Sequence, residues 1–128
     1  MKVIKNDSAI SLNKPDGTRI KYFLFDEYEI HSNELKPNSI QQWHHHEKIW
    51  ETLYVIEGNL SLMWKNNENI LEEKLEPGDV VEMGKESHSI ANNSKDIVRF
   101  IIVKQMLSGS SKRELFKQDK IVDNQSLN

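Results

Sequence analysis

The sequence contains no cysteine, which excludes disulfides and thiolate ligands. Any metal bound here must therefore sit on nitrogen and oxygen donors. Prolines (three) and glycines (five) are scarce in 128 residues, so those that occur stand out as turn markers. Long apolar runs are also missing. The best, Ile97-Val98-Arg99-Phe100-Ile101-Ile102-Val103, is far too short to cross a bilayer and carries an arginine. The start, Met1-Lys2-Val3-Ile4-Lys5-Asn6-Asp7, lacks the apolar stretch of a secretion signal, so a cytoplasmic location is the expectation. Neither sign of charge dominates: 17 basic against 20 acidic residues give a net charge of −3. With no basic stripe or arm, neither nucleic acid nor a membrane is expected as a partner.

What is present is a series of short, β-branched and aromatic segments separated by turn signals, the pattern of an all-β sandwich or barrel. Asn13-Lys14-Pro15-Asp16-Gly17, Lys36-Pro37-Asn38, Glu57-Gly58-Asn59 and Pro77-Gly78-Asp79 each break the chain. Between them lie Ala9–Leu12, Lys21–Phe25, Glu27–His31, Ser39–His44, Thr52–Ile56, Leu60–Lys65, Ile70–Leu75, Val80–Met83, Ser87–Ala91 and Ile97–Val103. No helical period is seen before about residue 110. Residues 1–107 are expected to form one barrel domain. Residues 108–128 form a polar C-terminal tail, either docked on the surface or packed on a partner or pocket.

His44-His45-His46 is the most informative stretch. Side chains at i and i+2 of a strand share a face, so His44 and His46 point one way and His45 the other. Glu51 and, far along the chain, His88 could complete a cage of three imidazoles and one carboxylate. Such a set suits a divalent transition metal such as Fe, Mn, Ni, Co, Cu or Zn, with coordination positions left for a substrate. Glu51 buried in a barrel without a partner would be costly, and a metal supplies that partner. His31 stands alone and is expected at the surface; His45 is expected at the surface or in a subunit contact.

The spacing resembles the two signature motifs of the cupin superfamily. In the first, His44, His46, Glu51 and Gly58 fill the slots, and Asn38 stands where the opening glycine would be. In the second, Gly78, His88 and Asn92 match, although Gly78 and His88 are one residue closer than the pattern asks. Met83 and Lys85 occupy its proline and second glycine slots, with Gly84 between them. The resemblance implies a double-stranded β-helix, or jelly-roll barrel, with His44, His46, Glu51 and His88 as metal ligands.

Around that cage, period two from His44 turns Gln42 toward the metal, where it would bind a ligand or orient an imidazole. Trp50 would sit at the barrel mouth, and Arg99, if inward, would anchor an anionic substrate. The expected function is that of a metal-dependent enzyme on a small organic molecule, of dioxygenase or sugar/keto-acid isomerase type, with Glu51 as the candidate base. Two alternatives stand beside it. One is a non-enzymatic cupin that binds a sugar-like ligand; the other is a metal-free sugar epimerase relying on a His–Asp pair and a tyrosine, against which the lack of an Asp on the first motif weighs. Tyr54 and Ile56, opposite in parity to Glu51, would face outward and support a homodimer.

Overall fold

The computed structural model describes residues 1–106 and 120–123. Among these residues there is no α-helix, only a short 3-10 turn at Asn6–Ser8, and hence no helix able to cross a membrane. Twelve strands follow: β1 (Ile10–Asn13), β2 (Thr18–Leu24), β3 (Tyr28–Leu35), β4 (Ser39–Ile40), β5 (His44–His46), β6 (Ile49–Glu57), β7 (Leu60–Asn66), β8 (Asn69–Leu75), β9 (Val80–Met83), β10 (His88–Asn92), β11 (Val98–Met106) and β12 (Lys120–Val122). They form two antiparallel sheets of the jelly-roll type. One has the order β1-β2-β3-β11-β6-β9; the other runs β12-β5-β10-β7-β8, with β4 also on β10. The segment Ser39–His44, expected as one strand, breaks at Gln41–Trp43.

The turn residues do what their chemistry permits. Asn38, in the slot of a motif glycine, has φ of 55°, a left-handed conformation that asparagine tolerates better than most residues. Gly58 (φ 84°) is required for space as well: a Cβ there would lie 2.9 Å from Val98 Cγ2. Asn92 closes the second motif from within. It is fully buried, and its amide donates to the carbonyls of Leu35, Lys36 and Asp96 while Oδ1 accepts from the Ser94 backbone and hydroxyl. One side chain thereby ties the end of β3 to the β10–β11 loop.

The interior has an apolar end and a polar end. Leu35, Leu53, Val55, Leu60, Leu62, Leu75, Met83, Ile90, Val98, Phe100 and Ile102 form one buried cluster. Strand register then sorts the rest into rows. Val98 of β11 pairs with Leu35; Phe100 lies between Asn33 and Val55; Ile102 lies between His31 and Leu53. The next row is charged, with Lys104 flanked by Glu29 on β3 and Glu51 on β6. The polar end of the barrel is therefore built by three strands, with β3 turning polar first, at Asn33 and His31, and β6 and β11 joining it at the Glu29–Lys104–Glu51 row.

Lys120–Val122, within the segment read as tail, adds a strand to β5 with Lys120 opposite His46 and Val122 opposite His44. The Asp123 amide donates to the Trp43 carbonyl at 3.0 Å. The Asp123 carboxylate meets His45 Nδ1 at 2.8 Å, so His45 is half-buried as a clamp on β12 rather than free at the surface. The joint at Ser108–Ser111 and the pair Leu115-Phe116 lie outside the described residues.

Two outcomes follow from these contacts. Asn92→Ala strands several buried partners and should lower unfolding free energy by about 3 kcal/mol in chemical denaturation. The clamp should depend on pH. The hydrogen bond to Asp123 raises the His45 pKa above its ordinary 6.5. Burial works against Asp123 ionising, but the hydrogen bond from His45 holds its carboxyl below the ordinary 3.8. A raised His pKa gives stability that fades as pH climbs through it, and a lowered Asp pKa gives stability lost on acidification. Protection of the Asp123 amide from exchange, corrected for intrinsic rates, should peak at about pH 5–6 and fall toward about pH 8. His45→Ala should remove that dependence.

Candidate metal centre

Strand alternation aims His44 and His46 of β5 into the barrel, and β6 does the same for Glu51 between the buried Ile49 and Leu53. Glu51 Oε1 lies 2.9 Å from His46 Nε2 and 3.7 Å from His88 Nε2. The His88 ring, on β10 opposite His44, is 4.6 Å from the His44 ring. All four residues are only 3–8 % exposed. Potential ligand atoms of His44, His46 and Glu51 lie within 4.8 Å of one another, so this buried group could hold a metal.

The tautomers are prepared for that task. His44 Nδ1 donates to the Gln42 carbonyl at 2.8 Å and His88 Nδ1 to the Glu86 carbonyl at 3.0 Å. Each ring is left presenting Nε2, and the buried His88 Nε2 has no hydrogen-bond partner among the described residues. Carbonyl-oriented imidazoles of this kind are what metal ligands require. Burial, together with the neighbouring His88, pushes the His44 pKa down to about 3, so that ring is neutral. Burial alone would raise the Glu51 carboxyl. Lys104, at 3.9 Å from Oε2, and the imidazoles of His46 and His88 more than reverse this and hold it well below the ordinary carboxylate range. A neutral His44, two further imidazoles and an ionised carboxylate form a donor set that fits a divalent transition metal.

A small cavity opens over His44 and Glu51, lined also by Lys14, His31, Asn33, Gln41, Lys104 and Lys120. A larger cleft, about 610 Å³, lies between β8 and β9 and reaches His88 from the other side. Its floor includes Leu62, Trp64 and Met83, and its rim is acidic, with Glu73, Asp79, Glu82 and Glu86.

His44, His46 and Glu51 are therefore brought together with His88 beside Glu51, whereas the expected substrate contacts fare unevenly. Gln42 lies on the cavity rim with its side chain exposed, and it is its backbone carbonyl that orients His44. The strand break at Gln41–Trp43 is the reason period two fails there. Trp50 alternates to the outer face of β6, opposite to Glu51, and does not line the cavity. Arg99 also faces outward, bonded to Glu57 at 2.8 Å and Glu34 at 3.3 Å across the neighbouring strands. It is thus no inward anchor.

His31 corrects the expectation of exposure: it is buried, with Nε2 2.7 Å from Glu29 Oε1 and its ring edge-on to Tyr22 at 4.6 Å. Burial lowers its pKa, and the Glu29 hydrogen bond offsets part of that shift. The signal is present in the sequence, because Glu29, His31 and Asn33 alternate as a polar face. It is obscured because Ile30, the apolar neighbour, is the one turned outward.

No curated protein matches this sequence. The chain is similar in structure to a sugar phosphate isomerase of the cupin superfamily from Silicibacter pomeroyi, with a TM-score of 0.66 and 20 % identity. That match covers 81 % of this chain and 75 % of the other. HppE in its Fe(II) form gives a TM-score of 0.67 at 16 % identity, over 81 % of this chain and 60 % of that one. A single-substitution variant of oxalate decarboxylase from Bacillus subtilis gives 0.72 at 16 % identity, over 96 % of this chain but 34 % of that one. These similarities establish the fold. Residues 32–104, more than half the chain, match the family model described as "Cupin domain". With that match over a jelly roll carrying the His44, His46 and Glu51 group, the chain belongs to the cupin superfamily.

Proposed function

We propose that this cupin is a metal-dependent enzyme, cytoplasmic and homodimeric, acting on a small organic substrate by dioxygenase or sugar/keto-acid isomerase chemistry. The observation that carries the reading is Glu51: an ionised carboxylate, almost fully buried, among three imidazoles at the wall of a cavity. His44, His46, Glu51 and His88 are the proposed ligands. A divalent metal held there supplies Lewis-acid polarisation of a substrate oxygen and, with Fe or Cu, access to dioxygen chemistry.

The chain's own groups do the rest. The Gln42 and Glu86 carbonyls fix two imidazoles, and Lys104 keeps Glu51 ionised. In the isomerase form Glu51 is the proposed base, taking a substrate proton on Oε2, the oxygen turned to Lys104. Its lowered pKa makes it a weak base, so ligation is its primary role. Gln42 on the cavity rim is retained as a substrate contact.

One observation favours a second, metal-free epimerase reading: the buried Glu29–His31 pair with Tyr22 edge-on to it provides a tyrosine and a His–Glu pair in place of the expected His–Asp pair. His31 lines the cavity, but Tyr22 does not. The metal reading is preferred because ligand atoms of His44, His46 and Glu51 lie within 4.8 Å of one another, with His88 Nε2 3.7 Å from Glu51.

The homodimer rests on the outer face of β6 and β9, where Tyr54, Ile56 and Val80 are exposed and Tyr54 pairs with Val80. An apolar patch of adjacent side chains is a candidate self-complementary contact.

Elemental analysis tests the cage. Protein purified without tag or chelator should carry near-stoichiometric transition metal. His46→Ala should lose it, while His45→Ala should keep it with affinity reduced by no more than roughly tenfold. Metal content unchanged in His46→Ala would overturn the assignment. Turnover lost in His31→Ala yet retained in a metal-free His46→Ala would favour the epimerase. Sedimentation at micromolar concentration should give a dimer for the wild type and a monomer for Tyr54→Glu combined with Val80→Glu.

A further inference from the structure

Three ammonium groups converge on the cavity above the proposed cage. Lys14 reaches it from the turn after β1, Lys104 from the inner face of β11, and Lys120 from β12. These elements are far apart in sequence, so the convergence is a product of the fold and not of one charged run. Lys104 has Glu51 as a counter-ion at 3.9 Å. Among the described residues, neither Lys14 nor Lys120 has a carboxylate within ion-pair distance. Asp16, also on the cavity wall, gives Lys14 only partial relief.

The cost of this arrangement is visible on Lys14. Burial, then the charges of Lys120 and Lys104, bring its pKa down to about 8. Like charges gathered in a partly desolvated cavity repel one another, and an anion bound between them relieves that repulsion. The enclosed volume, about 50 Å³, holds no more than a compact group, with the remainder of a ligand reaching outward.

We propose that Lys14, Lys104 and Lys120 form a subsite for the anionic end, carboxylate or phosphoryl, of the substrate presented to the metal cage. The inference rests on the metal-enzyme reading above for what lies beneath the anion, but the lysines can be tested separately. It assigns to these residues the anchoring role expected of Arg99, whose guanidinium faces outward.

The full-length chain, both metal-loaded and after chelator treatment, is titrated with inorganic phosphate and with succinate. Affinity is read by calorimetry and lysine side-chain chemical shifts, and metal content is measured in parallel. Lys14→Gln and Lys120→Gln should each weaken anion binding roughly tenfold, with arginine at either position restoring most of it and metal content unchanged. Added salt should weaken binding in the wild type. Tighter phosphate binding would support a phosphoryl group, and tighter succinate binding a carboxylate. Equal affinities in wild type and lysine variants, or no binding of either anion, would overturn the subsite whatever the metal content. Lysine-dependent binding in a chain that takes up no metal would uphold the subsite while removing the metal reading.

Discussion

A buried carboxylate constrains everything at the polar end of this barrel. Glu51 is 4 % exposed, and an isolated charge at such a position would be prohibitively costly. It is tolerated because cross-strand register puts Lys104 beside it, and the second sheet turns His46 and His88 toward it. Removing any one of these partners leaves a charge or a polar atom stranded in the interior. The apolar end, from Leu35 and Phe100 to Leu62 and Ile90, closes the barrel firmly enough to hold that arrangement in place.

The same register accounts for the division of labour along each strand. β3 runs from Glu29 through His31 and Asn33 to Leu35, and β11 runs the opposite way from Val98 to Lys104. Antiparallel pairing sets Leu35 against Val98 at one end and Glu29 against Lys104 at the other, with Asn33 and His31 facing Phe100 and Ile102 between, so a site and a core come from the same strands. A slip of one residue would turn both to the outer face. The site is therefore a property of pairing across the whole sheet.

Much of this was legible in the sequence, for a specific reason. His44 and His46 share one continuous strand whose two-residue period survives folding, Glu51 follows on the next strand after a two-residue break, and the glycine slot filled by Asn38 retains the left-handed backbone it implies. Three features were not legible. The break at Gln41–Trp43 defeats extrapolation from His44 to Gln42, because periodicity holds only within a continuous strand. The burial of His31 is hidden because the polar face of β3, and not Ile30, turns inward. The meeting of Lys14, Lys104 and Lys120 depends on pairings remote in sequence, and β12 falls in a segment whose composition reads as tail. Arg99 misleads for a related reason: its apolar surroundings in sequence suggest an interior strand, yet its own parity is outward, where Glu34 and Glu57 receive it.

The central claim is that His44, His46, Glu51 and His88 together hold one metal ion. X-ray absorption at the metal edge of the protein as purified tests it most directly. The account predicts a light-atom first shell at about 2.0–2.2 Å, with the multiple scattering of about three imidazoles and one carboxylate oxygen. A metal bound without imidazole scattering, or no metal taken up even on reconstitution, would contradict it.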